Sequence, residues 1–438
     1  MKIVYVTLNF LPAGLRGSEW LSYRFGKSAL QVPDTKVFVI TTRVKSYIGF
    51  FFPFIARFKK KEEAIEQMHI IRLPHNWLIF SLANCLLVFI TFIRLLPFFK
   101  RSTHLDSLYA NAAQYAFGVV LKGLKDALET VDPDIVHVTP IPQIYVLQTI
   151  NQINAWNKTR EKKIKLVLTP AMHFHRDIVK ETYPIKNIKR AFNLVDTIIC
   201  TTQFEKRQIE KIFEVSSEKI QVVNIGVTRK KIESKKNDIS MKVKEILRKV
   251  AKQKTNDVFI LFFLGTRCSK KGLFQLIKTI HGFESSEKEK MVLLVGGQIT
   301  ITWKFFIFFS NWQKKYPFLI NLPYLNTAEK EAVFALADVF VMPSIVDSYG
   351  IVYVEAMAAS LPILACTEPP QMEIIGNGGL YNDFSDLKKL EENIRLLMDD
   401  PLKRGKLGLH SSHLYEEKYT EMQMFKKMKD IYQKILYG

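Results

Sequence analysis

Two α/β lobes, each a doubly wound parallel sheet, are what this 438-residue sequence predicts. Three observations carry the expectation. Short β-branched runs alternate with longer amphipathic stretches, the pattern of parallel strands joined by covering helices. The alternation comes in two series, with a polar, lysine-rich interval between them. The length is also about twice or more that of a typical domain of roughly 100–200 residues.

The first series places strands at residues 3–7, 37–41, 135–138, 166–169, 197–200 and 220–223. The second places them at 259–264, 291–295, 318–322, 339–342 and 362–366. Helical periodicity lies between them, clearest over 273–281, 328–336 and 387–398. The interval "TRKKIESKKNDISMKVKEILRKVAKQKTND", 228–257, is poor in core residues and reads as a connection plus a solvated helix. The expected organisation is therefore a first lobe over 1–227, that connection over 228–257, a second lobe over 258–410 and a helical tail over 411–438. In open α/β sheets ligands bind beyond the carboxyl ends of the strands, so residues just after strands carry the functional weight.

Composition narrows the function. Hydrophobic residues make up 48 %, enough for sizeable cores and too many for wholesale disorder. Lys and Arg number 63 against 42 Asp and Glu, a net charge of +21. Such an excess attracts phosphates, nucleic acid or an anionic membrane face. No helix-turn-helix, RNP or zinc-finger pattern is present, so nucleic acid is not the expected partner. The cysteines, Cys85, Cys200, Cys268 and Cys366, form no CxxC pair and suggest a reducing compartment. The opening "MKIVYVTLNFLP" reads as a first strand rather than a signal peptide, which places the expected protein in the cytoplasm.

Two stretches carry the chemistry. After strand 259–264 comes "GTRCSKKGLFQLI", in which Gly265 and Gly272 bracket Arg267, Lys270 and Lys271. Glycine lets a backbone approach closely and the cations supply charge, so this suits a phosphate. It also reads as an ordinary surface turn with solvated lysines, and it is not a Walker A loop. After strand 339–342 comes "PSIVDSYGIVYVEAMAASLP", with Asp347 and Glu355 eight positions apart. Ser348 is placed to cap a helix starting near Tyr349 or Gly350, whose free amides would hold an anion. Glu355 then lies about 9 Å further along the axis, near the ribose of a nucleotide held at the helix mouth. Asp347, on the loop, would face the group at the phosphate's other end. An acid before a helix also simply complements its dipole, but Glu355 amid Val, Tyr, Ala and Met requires a partner.

These residues resemble the retaining family 4 glycosyltransferases, which have the GT-B fold. The family pattern P-S-x-x-E-S-F-G-x-x-x-x-E-A-M-A-x-G-x-P is similar to Pro343, Ser344, Asp347, Ser348, Tyr349, Gly350, Glu355, Ala356, Met357, Ala358 and Pro362. Asp347 stands where the family has Glu, Tyr349 where it has Phe and Ser360 where it has Gly. "LNFLPAGLRGSEW" resembles the N-terminal glycine loop, with Gly17 and Glu19 kept and Arg16 at a usual Gly. "PDIVHV", "LVLTPAMHFHRD", "LVDTIICTTQFEKRQI" and "ALADVFVMPS" keep the family order. Arg267 sits one place later than usual.

The resemblance implies a retaining hexosyltransferase that uses a nucleotide diphosphate sugar, with an acceptor-side first lobe and a donor-binding second lobe facing a cleft. Glu355 would bind the ribose hydroxyls. Lys271 and Arg267 would stabilise the diphosphate, Asp347 would contact the donor sugar and His173 would face it. Amides near Gly350 and Ile351, and Gly17, Gly265, Ser348 and Tyr349, would complete the donor site. No cofactor and no metal are expected, since cations and amides replace the metal. A nucleotide-sugar epimerase of the same architecture is the enzymatic alternative, and a basic nucleic-acid-binding protein the non-enzymatic one.

His173-Phe174-His175 lacks further ligands at zinc spacing. Asp132-Pro133-Asp134 precedes its strand and reads as a turn. "SYIGFFFPFIARFKKK", 46–61, joins aromatic rings to Arg57 and Lys59, Lys60 and Lys61. "WLIFSLANCLLVFITFIRLLPFFKR", 77–101, is apolar with Ser81, Asn84, Thr91 and Arg94 on one arc. Its length alone would permit a membrane span, but a span would divide the first sheet across the bilayer. It reads either as a helix in the membrane interface or as a core helix. The expected partners are a nucleotide sugar, a lipid or glycan acceptor and an anionic membrane surface, with the protein peripheral on the inner face of the cell membrane.

Overall fold

The structure, a computed structural model, describes residues 1–12, 17–45, 48–52, 54, 57–94, 103–116, 118–174, 183–229, 239–254, 258–298 and 315–437. The chain divides into two units: residues 1–225 with 422–438, and residues 226–421.

The first unit is built on β1 (Lys2–Val6), β2 (Lys36–Thr42), β3 (Glu62–Ile65), β4 (Met68–Leu73), β5 (Ile135–Val138), β6 (Lys165–Leu168), β7 (Thr197–Cys200) and β8 (Ile220–Val222). Their order is β3-β4-β2-β1-β5-β6-β7-β8, parallel throughout except for the antiparallel β3–β4 pair. The second unit is a wholly parallel sheet of β9 (Phe259–Leu264), β10 (Met291–Gly296), β11 (Leu319–Asn321), β12 (Val339–Val341), β13 (Ile363–Cys366) and β14 (Gly379–Asn382), ordered β11-β10-β9-β12-β13-β14. Every residue of β9 and β10 is buried. That follows from "FILFFL" and "MVLLVG", continuous apolar runs suited to a sheet covered on both faces.

Each expected strand occurs, with its ends moved by at most about a residue, within the ordinary spread of element boundaries. Three strands escaped the sequence reading. β3 and β4 form a hairpin around Glu66 and Gln67, both left-handed with φ of 48° and 67°. Such a turn normally announces itself as Asn-Gly or Asp-Gly, and here it does not. β3 is also an edge strand whose Glu62 and Glu63 hide its β character. β14 begins with Gly379, a residue depleted in strands.

The lysine-rich interval contributes the Met241–Lys254 helix, which is not merely solvated. Val243 and Val250 are fully buried, one pair seven residues apart on the face turned to the Thr327–Leu336 helix. The amide of Ser240 also donates to Glu329 Oε1 at 3.0 Å. The C-terminal residues are likewise not a separate tail. The Pro401–Lys418 helix belongs to the second unit, whereas most of the Glu421–Tyr437 helix belongs to the first. Met424, Met428 and Tyr432, four apart, form its buried stripe. The Tyr432 hydroxyl lies 2.6 Å from that of Tyr5 and 2.8 Å from His137 Nδ1, and His137 Nε2 lies 2.8 Å from Thr169 Oγ1. Burial lowers the His137 pKa to about 3, so the ring is neutral within this chain of hydrogen bonds.

The Trp77–Arg94 helix packs Ala83 and Leu87 against Ala112, Ala113 and Ala116 of the Thr103–Ala116 helix. Among the described residues, no helix is long and apolar enough to cross a membrane. Residues 95–101 of the apolar stretch lie outside the described residues.

Candidate functional site

In the second unit, β9 and β12 are sheet neighbours, so the loops that follow them emerge side by side. The loop after β9 contains a single 3-10 turn, Ser269–Lys271, closed by Gly272 at φ 76°. A Cβ at Gly272 would lie 2.2 Å from the Pro343 carbonyl oxygen, so only glycine lets the two loops touch. Across this contact the Ile345 amide donates to the Lys270 carbonyl at 3.0 Å. The Lys271 ammonium then reaches Asp347 Oδ1 at 2.5 Å and the Val346 carbonyl at 2.9 Å. Two residues 76 positions apart thereby share one ion pair, with side chains only 17 % and 12 % exposed.

The helix carrying the second acid spans Ile351–Ala358 and is capped by Gly350, not by Ser348. Gly350 has φ 80°, and a Cβ there would stand 2.6 Å from the Tyr353 ring. This left-handed turn, not a hydroxyl cap, sets the helix start, so the expected cap at Ser348 is corrected. Tyr349 is buried, and the Tyr353 hydroxyl donates to the Met342 carbonyl at 2.8 Å, tying the helix to the end of β12. Glu355 falls about 6 Å along the axis from Ile351, on the fifth residue of the helix.

The partner that Glu355 requires is Lys330, on the Thr327–Leu336 helix, at 2.5 Å. Sequence reasoning missed this lysine because it lies 25 positions away on a different helix. The two acids thus share a geometry. Each gives one oxygen to a lysine, and the other oxygen, Asp347 Oδ2 or Glu355 Oε2, is buried with no hydrogen bond among the described residues. A buried acceptor left unmet costs about 1–3 kcal/mol, which a hydroxyl of a ligand would recover.

Arg267 departs from its expected place. It is 2 % exposed, and its Nη2 donates to the carbonyls of Val295 and Leu322, each at 3.1 Å. Burial lowers its pKa to about 10, leaving it charged at neutral pH. Rather than standing open on the loop, the guanidinium braces the carboxyl ends of β10 and β11. Gly265, two residues before Arg267, donates its amide to the Gly296 carbonyl at 3.3 Å.

In the first unit, His173 follows β6, on a loop that turns at Ala171 with φ 50°. The His173 amide donates to the Tyr183 hydroxyl at 2.9 Å, and the Met172 amide donates to Glu205 Oε1 at 2.9 Å. Glu205, 1 % exposed, also accepts from the Thr201 amide through Oε2 at 2.8 Å. Glu205 and Tyr183 therefore fix the backbone that carries His173. Neither was singled out from the sequence; the visible signal for Glu205 was T-x-x-E, a capping arrangement in which Thr202 accepts from the Glu205 amide. Gly17 opens the Gly17–Ala29 helix. Arg16 and His175 lie outside the described residues. Asp132 pairs with Arg160, and Asp134 with Lys162, at the amino edge of β5. Among the described residues, no group of three or more His, Cys, Asp or Glu side chains could hold a metal ion.

Residues 243–411 match the family model described as Glycosyl transferases group 1. Over 173 residues the chain is 28 % identical to the GDP-mannose-dependent monoacylated alpha-(1-6)-phosphatidylinositol monomannoside mannosyltransferase of Corynebacterium glutamicum, covering 37 % of this chain and 44 % of that protein. The chain spans about half the length or less of the first curated relatives it matches. In structure it is similar to sucrose-phosphate synthase from Thermosynechococcus elongatus, with a TM-score of 0.67 at 14 % identity over 99 % of this chain and 98 % of that one. It is also similar to Anabaena Alr3699/HepE solved with UDP-glucose, with a TM-score of 0.62 at 12 % identity over 99 % of this chain and 100 % of that one. The fold, two α/β units on parallel sheets, is GT-B.

Proposed function

We propose that the protein is a glycosyltransferase that moves a hexose from a nucleotide diphosphate sugar to an acceptor, with retention of the anomeric configuration. The observation that carries this reading is the pair of half-satisfied acids, Asp347 and Glu355, each fixed by a lysine and each holding one unmet oxygen. Their spacing suits a ligand that offers hydroxyls at two points, as a ribose and a sugar do on either side of a diphosphate. The match of residues 243–411 to group 1 glycosyltransferases supports it, as does the UDP-glucose bound in the structural relative HepE.

In this reading Glu355 Oε2 accepts from the ribose hydroxyls, and Asp347 Oδ2 accepts from the donor sugar. Lys271 turns its remaining N–H bond to the diphosphate, which leaves with the electron pair of the broken anomeric bond. The amides of Gly350 and Ile351 lie at the start of a helix, where an anion is favoured. Ser348 and Tyr349 line the turn before it, and Gly265 gives the phosphates backbone approach. Arg267 acts as a positioning residue through the strand-end carbonyls, and no metal is required. Gly17 and His173 are the first unit's contributions to donor binding, His173 as a contact of the sugar. The acceptor is lipid-linked, and the enzyme works as a peripheral protein on the cytoplasmic membrane face. The mannosyltransferase similarity supports a lipid acceptor, since that relative's named substrate is a phosphatidylinositol monomannoside.

A thermal-shift series with UDP, GDP and ADP, then with their sugars, tests the donor claim. One nucleotide should raise Tm by mass action, by an amount that grows with concentration. NMR of the product then reads the anomer, and an inverted product would exclude retention. Epimerisation of the donor without any acceptor would favour the epimerase alternative.

A further inference from the structure

The Trp77–Arg94 helix is amphipathic in an unusual sense: both of its sides are apolar, but only one is covered. Phe80, Ala83, Leu87 and Ile90 are buried against the first unit. Two of the polar side chains bond to backbone carbonyls. Asn84 Nδ2 donates to the carbonyls of Phe80 and Ala116, and Thr91 Oγ1 donates to the Leu87 carbonyl at 2.7 Å. The opposite arc, about 120° wide from Phe92 to Leu86 at 100° per residue, contains only apolar side chains and Cys85. Along that face Leu82 is 68 %, Phe89 60 % and Phe92 65 % exposed.

Residues 50–52 and 54, which precede β3, lie beside this helix. The rings of Phe50 and Phe51 pack on Phe80, with centroids 5.3 Å and 5.0 Å apart. They are followed by Phe52 and Phe54, 55 % and 81 % exposed. Arg57, Lys59, Lys60 and Lys61 come next, all exposed. Phe54 and Lys59 are five residues apart, so the chain holds them within about 18 Å. An uncovered apolar strip and a cluster of cations thus lie in one region of the first unit.

We propose that this side, the outer arc of the Trp77–Arg94 helix with Phe52 and Phe54, docks in the interface of an anionic bilayer. The proposal rests on the membrane-face reading above and gives it a surface. The helix lies in the plane rather than across the bilayer, because Phe80, Ala83, Leu87 and Ile90 already commit its other side to the unit. A lipid surface fits better than a second copy of this chain, because two such faces would bring Arg57 and the three lysines together. It also fits better than a protein partner, whose contact would place a polar rim around the apolar core, and this arc offers no polar group to meet one. Phospholipid headgroups supply the negative charge that the adjacent cations attract, each cation worth about fivefold in partitioning.

Co-sedimentation with vesicles tests it, using phosphatidylcholine alone and phosphatidylcholine mixed with phosphatidylglycerol. The wild-type chain should bind the anionic vesicles far more strongly. Leu82→Glu with Phe89→Glu, at two exposed positions, should abolish binding to both. Lys59→Glu, Lys60→Glu and Lys61→Glu together should weaken anionic binding by roughly a hundredfold or more. Negligible binding to both vesicle types, or unchanged binding by either variant, overturns the proposal. So does a concentration-dependent dimer in ultracentrifugation that the Leu82→Glu, Phe89→Glu variant converts to monomer without any vesicle binding by the wild type. The nucleotide-induced Tm shift is measured on the same variants and should be unchanged. A chain that binds vesicles but shows no shift with any nucleotide would leave docking standing and remove the donor reading.

Discussion

Glu205 in the first unit and the pair Asp347 and Glu355 in the second are all carboxylates withdrawn from water, yet they are held in different ways. Glu205 receives the amides of Met172 and Thr201, one on each oxygen, and the Thr201 hydroxyl as well. Asp347 and Glu355 each receive a lysine on one oxygen and, among the described residues, nothing on the other. Backbone amides cannot leave, so Glu205 is a structural brace. A lysine can redirect its other N–H bonds, and a bare oxygen awaits a donor. Burial alone does not mark a functional acid; what distinguishes it is an acceptor that the protein itself leaves unmet.

The largest expected break in this contrast is Lys271→Ala. On the proposed donor reading it removes the cation facing the diphosphate and leaves Asp347 without its partner, so kcat should fall by about a thousandfold or more, read in a donor-turnover assay. Asp347→Asn should lower kcat by about a hundredfold with little change in KM. A rise in KM alone would move Asp347 away from the reacting sugar. His173→Ala should also lower kcat, and full activity would return His173 to an ordinary loop residue. Glu355→Gln should raise KM for the donor by about ten- to a hundredfold at similar kcat, the size of a hydrogen bond to a charged group. Unchanged donor affinity would refute the ribose assignment.

Glu205→Gln sharpens the same contrast from the other side. An amide group placed against backbone N–H donors should cost about 1–3 kcal/mol of stability while leaving the nucleotide-induced Tm shift intact. Hydrogen exchange should show faster opening of the Met172 and Thr201 amides. A loss of nucleotide binding without loss of stability would make Glu205 a site residue after all.

The effect furthest from the two acids concerns pH. His137 is held neutral, with its pKa lowered from 6.5 to about 3 by burial. Below pH 6.5 the unfolded chain takes up a proton that the fold refuses. The stability present above 6.5 is therefore lost as pH falls from 6.5 toward 3, by about 1.4 kcal/mol per pH unit once well below 6.5. The first unit's Tm should drop across that window, and His137→Gln should flatten that part of the profile at the cost of a lower Tm at neutral pH.

The sequence alone determined the two sheets, because parallel strands buried on both faces must be short apolar runs, and "FILFFL" or "IVHV" can be little else. It also located the two acids and the glycine-bracketed cations, because a loop after a parallel strand is where ligands bind and charged residues there are conspicuous. Local chemistry was too faint for the β3–β4 hairpin, whose left-handed turn is made by Glu66 and Gln67 rather than glycine. Only the tertiary structure decided what each charge touches. Lys330 meets Glu355 across 25 positions, and Arg267 turns inward to two strand-end carbonyls. It alone brought Tyr432 of the final helix back to Tyr5 and His137. It also decided which side of the Trp77–Arg94 helix is covered, since periodicity cannot choose between two apolar faces. Periodicity and composition act over a few residues, whereas the partner of a charge or the cover of a face is set by chain segments that meet only when the whole unit packs.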